Sequence, residues 1–247
     1  MQEISFDGLG LPIREDILGS ERRAWRRLAA PGSWWSGAER LAIAAEARHA
    51  AGCGLCRARK AALSPRGVAG AHDSLGILPA SAVEAIHAVR TDPGRLTRDW
   101  YRQVLADGLT EERYVELVGV VATTVVIDTL HLGLGLPAPA LPEAAQPGAP
   151  RRHRPPGARA QNHWVPTLSP ADARPDDPNP YQGNRAANIH RALSLVPEEV
   201  IGFFDLVDAH YLSGAQMVDL GNEPRAIDRA QIELLAARVS ALNQCVY

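Results

Sequence analysis

One long segment rich in apolar residues, Glu111–Gly133, limits the folds open to this 247-residue chain more than any other feature. Thr110 stands where a helix N-cap is expected, and two acidic residues follow it at the positive end of the helix dipole. The β-branched cluster Val120–Ile127 favours a strand by propensity alone, but the segment is too long for a strand. We predict a long helix, and because it contains Asp128 and His131 we expect it to be buried in protein rather than in a membrane.

Apolar residues recur at helical spacing in seven further segments, and the sequence shows no convincing strand pattern. Several of these segments begin with helix-start signals, such as the capping box of Ser36 and Glu39. We predict helices over Arg14–Ala30, from Ser36 to the interruption at Gly52, and over Ser81–Arg90, Arg95–Ala106, Asn188–Leu195, Glu198–Tyr211 and a terminal segment capped by Asp228. The predicted fold class is all-α.

The composition changes between Pro137 and about Arg185, where Pro, Gly, Arg and Ala dominate and no apolar period survives. Such a stretch favours a long linker of extended character. Trp164-Val165-Pro166 within it is too apolar to be fully free, so we expect it to anchor the linker on a neighbouring surface. The predicted organisation is an N-terminal helical half, 1–136, a linker, 137–187, and a C-terminal helical half, 188–247.

The overall composition is that of an ordinary globular protein, with 46% hydrophobic and 22% charged residues. A net charge of -2 gives no support for a nucleic-acid or anionic-membrane partner. The first residues lack the basic and apolar regions of a secretory signal peptide. We therefore expect a cytoplasmic location, where three cysteines favour reduced or redox-active thiols over a disulfide framework.

Cys53 and Cys56 form the only complete CxxC pair of the sequence, near a predicted helix start. A helix N-terminus lowers the pKa of the first thiol in such a pair, and Arg57 and Lys60 would add to that effect. A redox-active pair and two buried cysteines that act as small hydrophobic residues fit the sequence about equally well. Zinc is the weaker interpretation, because a structural site needs four ligands and no second ligand pair stands at suitable spacing, although Cys245 and a histidine could contribute.

A second candidate site lies in the terminal segment, where Cys245 follows Glu233 at an interval of twelve residues. This segment predicts a helix with one buried face, formed by Ile232, Leu235, Ala236, Val239 and Leu242. The helical phase leaves the orientation of Glu233 open. If the carboxyl group faces inward, burial raises its pKa and suits it to acid–base chemistry on a nearby thiol.

Histidines elsewhere in the sequence give weaker signals. Asp128 and His131 lie one helical turn apart in the long apolar segment, so they share a face. A satisfied buried pair of these two residues is favoured over a catalytic one. His49, His72 and His87 have no visible partner, and we interpret them as structural or surface residues.

The terminal segment resembles the core motif of the alkylhydroperoxidase D-like, or carboxymuconolactone decarboxylase-like, family. That motif is a Glu, about a dozen residues, then Cys-x-x-Cys and a His four residues later. Glu233 matches the Glu of the motif. Asn243 and Cys245 match the positions before and at the first cysteine, and Tyr247 matches the residue before the second. The second cysteine and the histidine of the motif would fall beyond Tyr247.

The missing second cysteine suggests a hypothesis about the coding sequence. A UGA codon after Tyr247 could encode selenocysteine, with a histidine a few residues on. The selenocysteine would attack the hydroperoxide, and Cys245 would resolve the oxidised selenium to a selenenylsulfide. The codon that follows Tyr247 decides between this hypothesis and an ordinary stop.

A region nearer the N-terminus, Trp34–Lys60, is similar to part of the longer family members that carry a second CxxC. It departs from the core motif at two places. Lys60 stands where the His would be, and no Glu lies twelve residues before Cys53. Glu39 and Glu46 are the nearby candidates for the missing carboxylate.

The resemblance implies an all-helical homo-oligomer that reduces hydroperoxides with a cysteine or selenocysteine pair and receives electrons from a thiol–disulfide donor. We expect neither a cofactor nor a metal. The catalytic residues implied are Cys245, Glu233, Cys53 and Cys56, with support from Tyr247, Asn243, His131 and Asp128. A non-catalytic oligomerising scaffold and a lyase that uses acid–base residues without a thiol remain open alternatives, and a peroxide-consumption assay separates the first function from both.

Overall fold

The computed structural model describes residues 4–145, 148–161, 163–181, 187–243 and 245. Within these ranges it consists of helices and irregular segments, and its only strand-like pairing is an isolated bridge between Arg159 and Thr167. The predicted all-α class is therefore confirmed. The chain divides into two compact units, Met1–Leu206 and Val207–Tyr247.

Most helix bounds lie close to the sequence prediction, but the helix predicted over Asn188–Leu195 ends at Arg191. The first unit contains α1 (Glu15–Ala29), α2 (Gly37–Ala50), α3 (Gly54–Ala61), α4 (Ala80–Thr91), α5 (Arg98–Ala106), α6 (Glu111–Gly133), α7 (Asn188–Arg191) and most of α8 (Pro197–His210). The second unit contains the end of α8, then α9 (Gly214–Val218) and α10 (Arg229–Leu242). The capping box at the start of α2 forms as expected, whereas the short helix α9 is an addition that the sequence did not predict.

The long helix α6 lies in the core of the first unit and packs against α1, α2 and α4. Thr110 caps it by accepting a hydrogen bond from the backbone of Arg113. Leu117, Val120 and Ile127 on this helix are fully buried, together with apolar residues of α2 and α4. Among the described residues α6 is the one helix long and apolar enough to cross a membrane, and 56% of its most hydrophobic window is buried inside the protein.

The segment predicted as a linker is packed within the first unit. Its backbone binds the N-terminal helices, since the N–H of Ala145 donates to Ala29 at 2.9 Å. The predicted anchor exists at Val165 and the buried Pro166, and it extends to Leu168. Trp164 is 41% exposed, whereas Val165 packs against the core and Leu168 is completely buried. The composition of this segment correctly indicated an irregular backbone. It did not indicate that tertiary contacts hold the segment in place within the first unit.

The prediction of a buried face on α10 is wrong for most of its positions. Asp228 and Gln231 form the expected capping box, so the start of the helix is correct. Ile232 is buried, but Leu235, Val239 and Leu242 are each more than half exposed. The helical spacing of apolar residues favours a helix, but burial also requires a neighbouring element, and no described element of the second unit covers this face.

Candidate functional site

Two thiols and two imidazoles converge where α2, α3 and α4 meet. Cys53 is the N-cap of α3, and Cys56 lies in the first turn of that helix. His87 projects from α4, and His72 lies in the irregular segment that precedes α4. The sulfur and nitrogen atoms of these four side chains all lie within 4.8 Å of one another. We call this group the thiol–imidazole cluster.

The imidazole Nδ1 atoms face the sulfur atoms. His87 Nδ1 lies 3.2 Å from Cys56 Sγ, and His72 Nδ1 lies 3.5 Å from the same sulfur and 3.7 Å from Cys53 Sγ. The two imidazole rings are 4.2 Å apart between their centroids. Cys53 and His87 are completely buried, so the cluster is largely shielded from solvent.

Each imidazole has a carboxylate on its far side. Glu46 of α2 lies 2.8 Å from His87 Nε2, and Glu84 of α4 lies 2.8 Å from His72 Nε2. A carboxylate accepts a hydrogen bond, so each Nε2 carries a proton. Burial disfavours the charged form of His72, but its hydrogen bonds to Glu84 and Cys53 outweigh burial and raise its pKa. His72 can therefore also donate from Nδ1 to the Cys53 thiolate, whereas His87 presents its Nδ1 lone pair to Cys56. Glu46 is held in turn by the backbone N–H of Leu75 at 3.0 Å.

Glu84 is the most heavily bonded carboxylate of the site. Arg59, Arg66 and the indole N–H of Trp100 all donate to it, at 2.9, 2.6 and 2.9 Å. Burial alone would raise the pKa of Glu84, but the hydrogen bonds from His72, Arg59 and Trp100 lower it to about 2. The carboxylate is therefore ionised and fixed in position across the physiological pH range.

The two thiols differ strongly in acidity. Burial opposes ionisation of Cys53, but hydrogen bonds from the backbone of Cys56, from His72 and from the backbone of Asp73 lower its pKa to about 6. Burial raises the pKa of Cys56 to about 11, and the neighbouring Cys53 adds to that effect. The predicted acidic first thiol at a helix start agrees with this geometry.

A cleft of about 710 Å³ borders the cluster at His72, and Glu84 lines it as well. Leu78, Val83 and Trp100 supply apolar surface to its wall. The two cysteines are not among the lining residues, so His72 is the member of the thiol–imidazole cluster that reaches the cleft.

The terminal candidate residues that the structure describes do not form a buried acid–base site around Cys245. Glu233 is exposed, and hydrogen bonds from Arg229 and Tyr211 lower its pKa rather than raise it. Cys245 and Asn243 are exposed as well. The predicted supporting residue Tyr247 lies outside the described residues.

Asp128 and His131 have different hydrogen-bond partners, which corrects the prediction of a direct pair. Asp128 binds the guanidinium of Arg48 at 2.6 and 2.9 Å. His131 Nε2 lies 3.2 Å from a carboxylate oxygen of Glu21 on α1. Neither residue belongs to the thiol–imidazole cluster.

His72 and His87, which we interpreted as structural or surface residues with no visible partner, both contact the thiols and each pair with a carboxylate. They stand 16 and 31 residues after Cys56, a separation that carries no recognised motif. One sequence signal was available, since Glu84 and His87 lie one turn apart on a predicted helix. Lys60, at the position where the resemblance expects a histidine, is exposed, whereas His49 pairs with Asp73 near the surface as expected.

Comparison of this chain with protein-family models, with curated proteins and with solved structures finds no match.

Proposed function

We propose that the protein is a thiol-dependent peroxidase whose working dithiol is Cys53 and Cys56. The observation that carries the proposal is the contact of this CxxC pair with two imidazoles, each backed by a carboxylate. An activated thiol needs a neighbouring base that a third group orients, and both conditions are met on each side of the pair. The terminal thiol Cys245 is exposed, whereas both thiols of the CxxC pair are buried against the imidazoles.

The first step is attack of the Cys53 thiolate on the outer oxygen of a hydroperoxide. The S–O bond forms as the O–O bond breaks, and the departing alkoxide takes a proton from His72 to leave as an alcohol. His72 suits this role because it borders both the thiol and the cleft. The apolar wall of the cleft suits an organic hydroperoxide better than hydrogen peroxide.

The second step forms the disulfide. Cys56 transfers its proton to His87, 3.2 Å away, while Glu46 fixes the imidazole in the accepting tautomer. The sulfur of Cys56 then attacks the sulfenic sulfur of Cys53, and the displaced hydroxide takes up a proton and leaves as water. Two thiols and one hydroperoxide thus yield a disulfide, an alcohol and water, and an external dithiol donor restores the reduced pair.

The direct test treats the reduced, metal-depleted chain with tert-butyl hydroperoxide in the presence of dithiothreitol. We expect steady peroxide consumption and, when the reductant is omitted, an intrachain Cys53–Cys56 disulfide seen by peptide mass spectrometry. Cys53→Ser should abolish consumption. Cys56→Ser should stop at a sulfenic acid on Cys53 that dimedone traps. Activity retained in Cys53→Ser, or a disulfide that contains Cys245, would overturn the assignment.

The proton-transfer role has its own matched pair of variants. His87→Asn should slow disulfide formation by roughly 10²–10⁴-fold, the usual contribution of a general base. His163→Asn changes the same residue type outside the cluster and should have no effect. Equal rates in the two variants would remove His87 from the mechanism. Absence of any peroxide consumption in the unmodified chain would instead favour the scaffold or lyase alternatives.

A further inference from the structure

We propose that the reduced chain binds one Zn²⁺ ion through Cys53, Cys56, His72 and His87. This inference concerns the same four side chains as the peroxidase proposal, but metal binding does not require peroxide chemistry. The ligand set of two thiolates and two imidazoles is one that zinc adopts in closed, four-coordinate sites.

The spacing of the ligand atoms fits a tetrahedral ion. With Zn–S near 2.3 Å and Zn–N near 2.0–2.1 Å, a regular tetrahedron separates a sulfur from a nitrogen by about 3.6 Å. The observed sulfur-to-nitrogen distances are 3.2, 3.5 and 3.7 Å for the Cys56–His87, Cys56–His72 and Cys53–His72 pairs. All four side chains can therefore reach one ion with little rearrangement.

The carboxylates behind the imidazoles supply the second observation. Glu46 and Glu84 each accept a hydrogen bond from the Nε2 of one histidine, which directs both Nδ1 atoms at the same point, where a metal ion would replace the Nδ1 proton of His72. Metal-bound histidines almost always donate their other ring N–H to a carboxylate, a carbonyl or water. Two such carboxylate–histidine pairs that converge on two buried thiols form a preorganised metal site rather than a chance polar cluster.

Zinc binding and disulfide formation exclude each other, because zinc needs both cysteines as thiolates and the disulfide joins the same two sulfur atoms. Oxidation of the zinc-bound dithiolate by one hydroperoxide and two protons yields the disulfide, an alcohol, water and free Zn²⁺. Zinc would thus keep the thiolates protected until an oxidant releases it. This consequence, unlike the binding itself, rests on the proposed peroxidase function.

Titration of the reduced chain with Co²⁺ under anaerobic conditions tests the binding. We expect one ion per chain, visible d–d bands of tetrahedral strength and a near-ultraviolet thiolate-to-cobalt charge-transfer band, all bleached by Zn²⁺. Cys53→Ser and Cys56→Ser should each weaken the charge-transfer band, whereas Cys245→Ser and His163→Asn should leave the spectrum unchanged. The absence of tetrahedral bands, or a spectrum that depends on Cys245, would overturn the proposal.

Variants of the two carboxylates test the site while all four metal ligands stay in place, so the test does not depend on whether the ligand variants fold. Glu46→Gln and Glu84→Gln keep the shape of the side chain and should weaken metal affinity by roughly 10–100-fold. Unchanged affinity in both would contradict the preorganised site. Peroxide-driven zinc release, followed with a chromogenic chelator, is measured separately. Zinc binding without release would leave the site intact and would argue against the peroxidase function alone.

Discussion

The pairing of Glu21 with His131 shows how one buried residue can make stability depend on pH. Burial and the nearby Asp128 carboxylate raise the pKa of Glu21 to about 8, and burial lowers the pKa of His131. Both pKa shifts favour the uncharged forms, so a neutral carboxyl group lies 3.2 Å from a neutral imidazole. The carboxyl group therefore keeps its proton in the folded protein over a range where the unfolded chain has released it.

We predict that Glu21 makes the protein less stable as the pH rises from about 5 to about 8. The raised pKa of Glu21 contributes stability that is fully present below the pKa of the unfolded chain. This stability is lost as the pH rises towards the pKa of Glu21 in the folded protein, by at most about 1.4 kcal/mol per pH unit. Glu21→Gln mimics the protonated acid at every pH and should flatten that slope. Urea unfolding at pH 5, 6, 7 and 8 measures it, and parallel profiles for both proteins would contradict the prediction.

At the scale of helices, a buried ion network joins α2, α6 and α8. Arg40 of α2 is 1% exposed and its guanidinium binds both Glu116 of α6 and Glu199 of α8. Arg27 of α1 completes the network with a second bond to Glu199 at 2.7 Å. Burial raises the pKa of Glu116 to about 7 despite the nearby Arg40, so this carboxyl group is partly protonated at neutral pH. The hydrogen-bonded network of these four side chains fixes how the helices approach one another.

The close approach of α6 and α8 requires glycine at position 119. A Cβ atom added to Gly119 would lie 2.5 Å from the Glu199 carboxylate, so the network would have to shift. We expect Gly119→Ala to destabilise the protein by about 1–3 kcal/mol, the usual cost of overpacking, although alanine is the better helix former. Chemical denaturation followed by circular dichroism measures the change.

Gly133 provides the matched control on the same helix. An added Cβ there meets nothing within 4 Å, so Gly133→Ala should be neutral or slightly stabilising. If both alanine variants change the free energy of unfolding equally, helix propensity rather than the contact with Glu199 decides the effect.

At the scale of the whole molecule, the two compact units differ in how much core they contain. Every described member of the two buried apolar clusters comes from residues 4–206. The second unit contributes few buried apolar residues, among them Leu212 and Ile232. The first unit, which carries the thiol–imidazole cluster, thus has a hydrophobic core of its own.

A chain that ends after Leu212 should therefore fold by itself. It keeps α8 whole and removes α9 and α10 with Cys245 and Glu233. We expect native-like near-ultraviolet circular dichroism, cooperative thermal unfolding and an unchanged Co²⁺ spectrum. Loss of the near-ultraviolet signal with retained helix content would indicate a molten globule and would show that the second unit is needed for specific packing.

Local interactions made most of the helices predictable. The caps at Ser36, Thr110 and Asp228 and the apolar spacing of α6 depend on residues within a few positions of one another. The same logic identified Cys53 and Cys56 as a chemically interesting pair at a helix start. The spacing of apolar residues did not predict that the apolar face of α10 would remain exposed. Burial of that face requires a neighbouring element, and the spacing within one helix carries no information about its neighbours.

The sequence by itself determined the helical class, the helix starts and the position of the CxxC pair, since each follows from backbone hydrogen bonding and side-chain spacing along the chain. Only the tertiary structure decided which groups surround that pair. Glu46, His72, Glu84 and His87 come from three separate parts of the chain, and they meet because α2, α3 and α4 pack together. The chemistry of the site is a matter of distances across helices, and no local pattern encodes those distances.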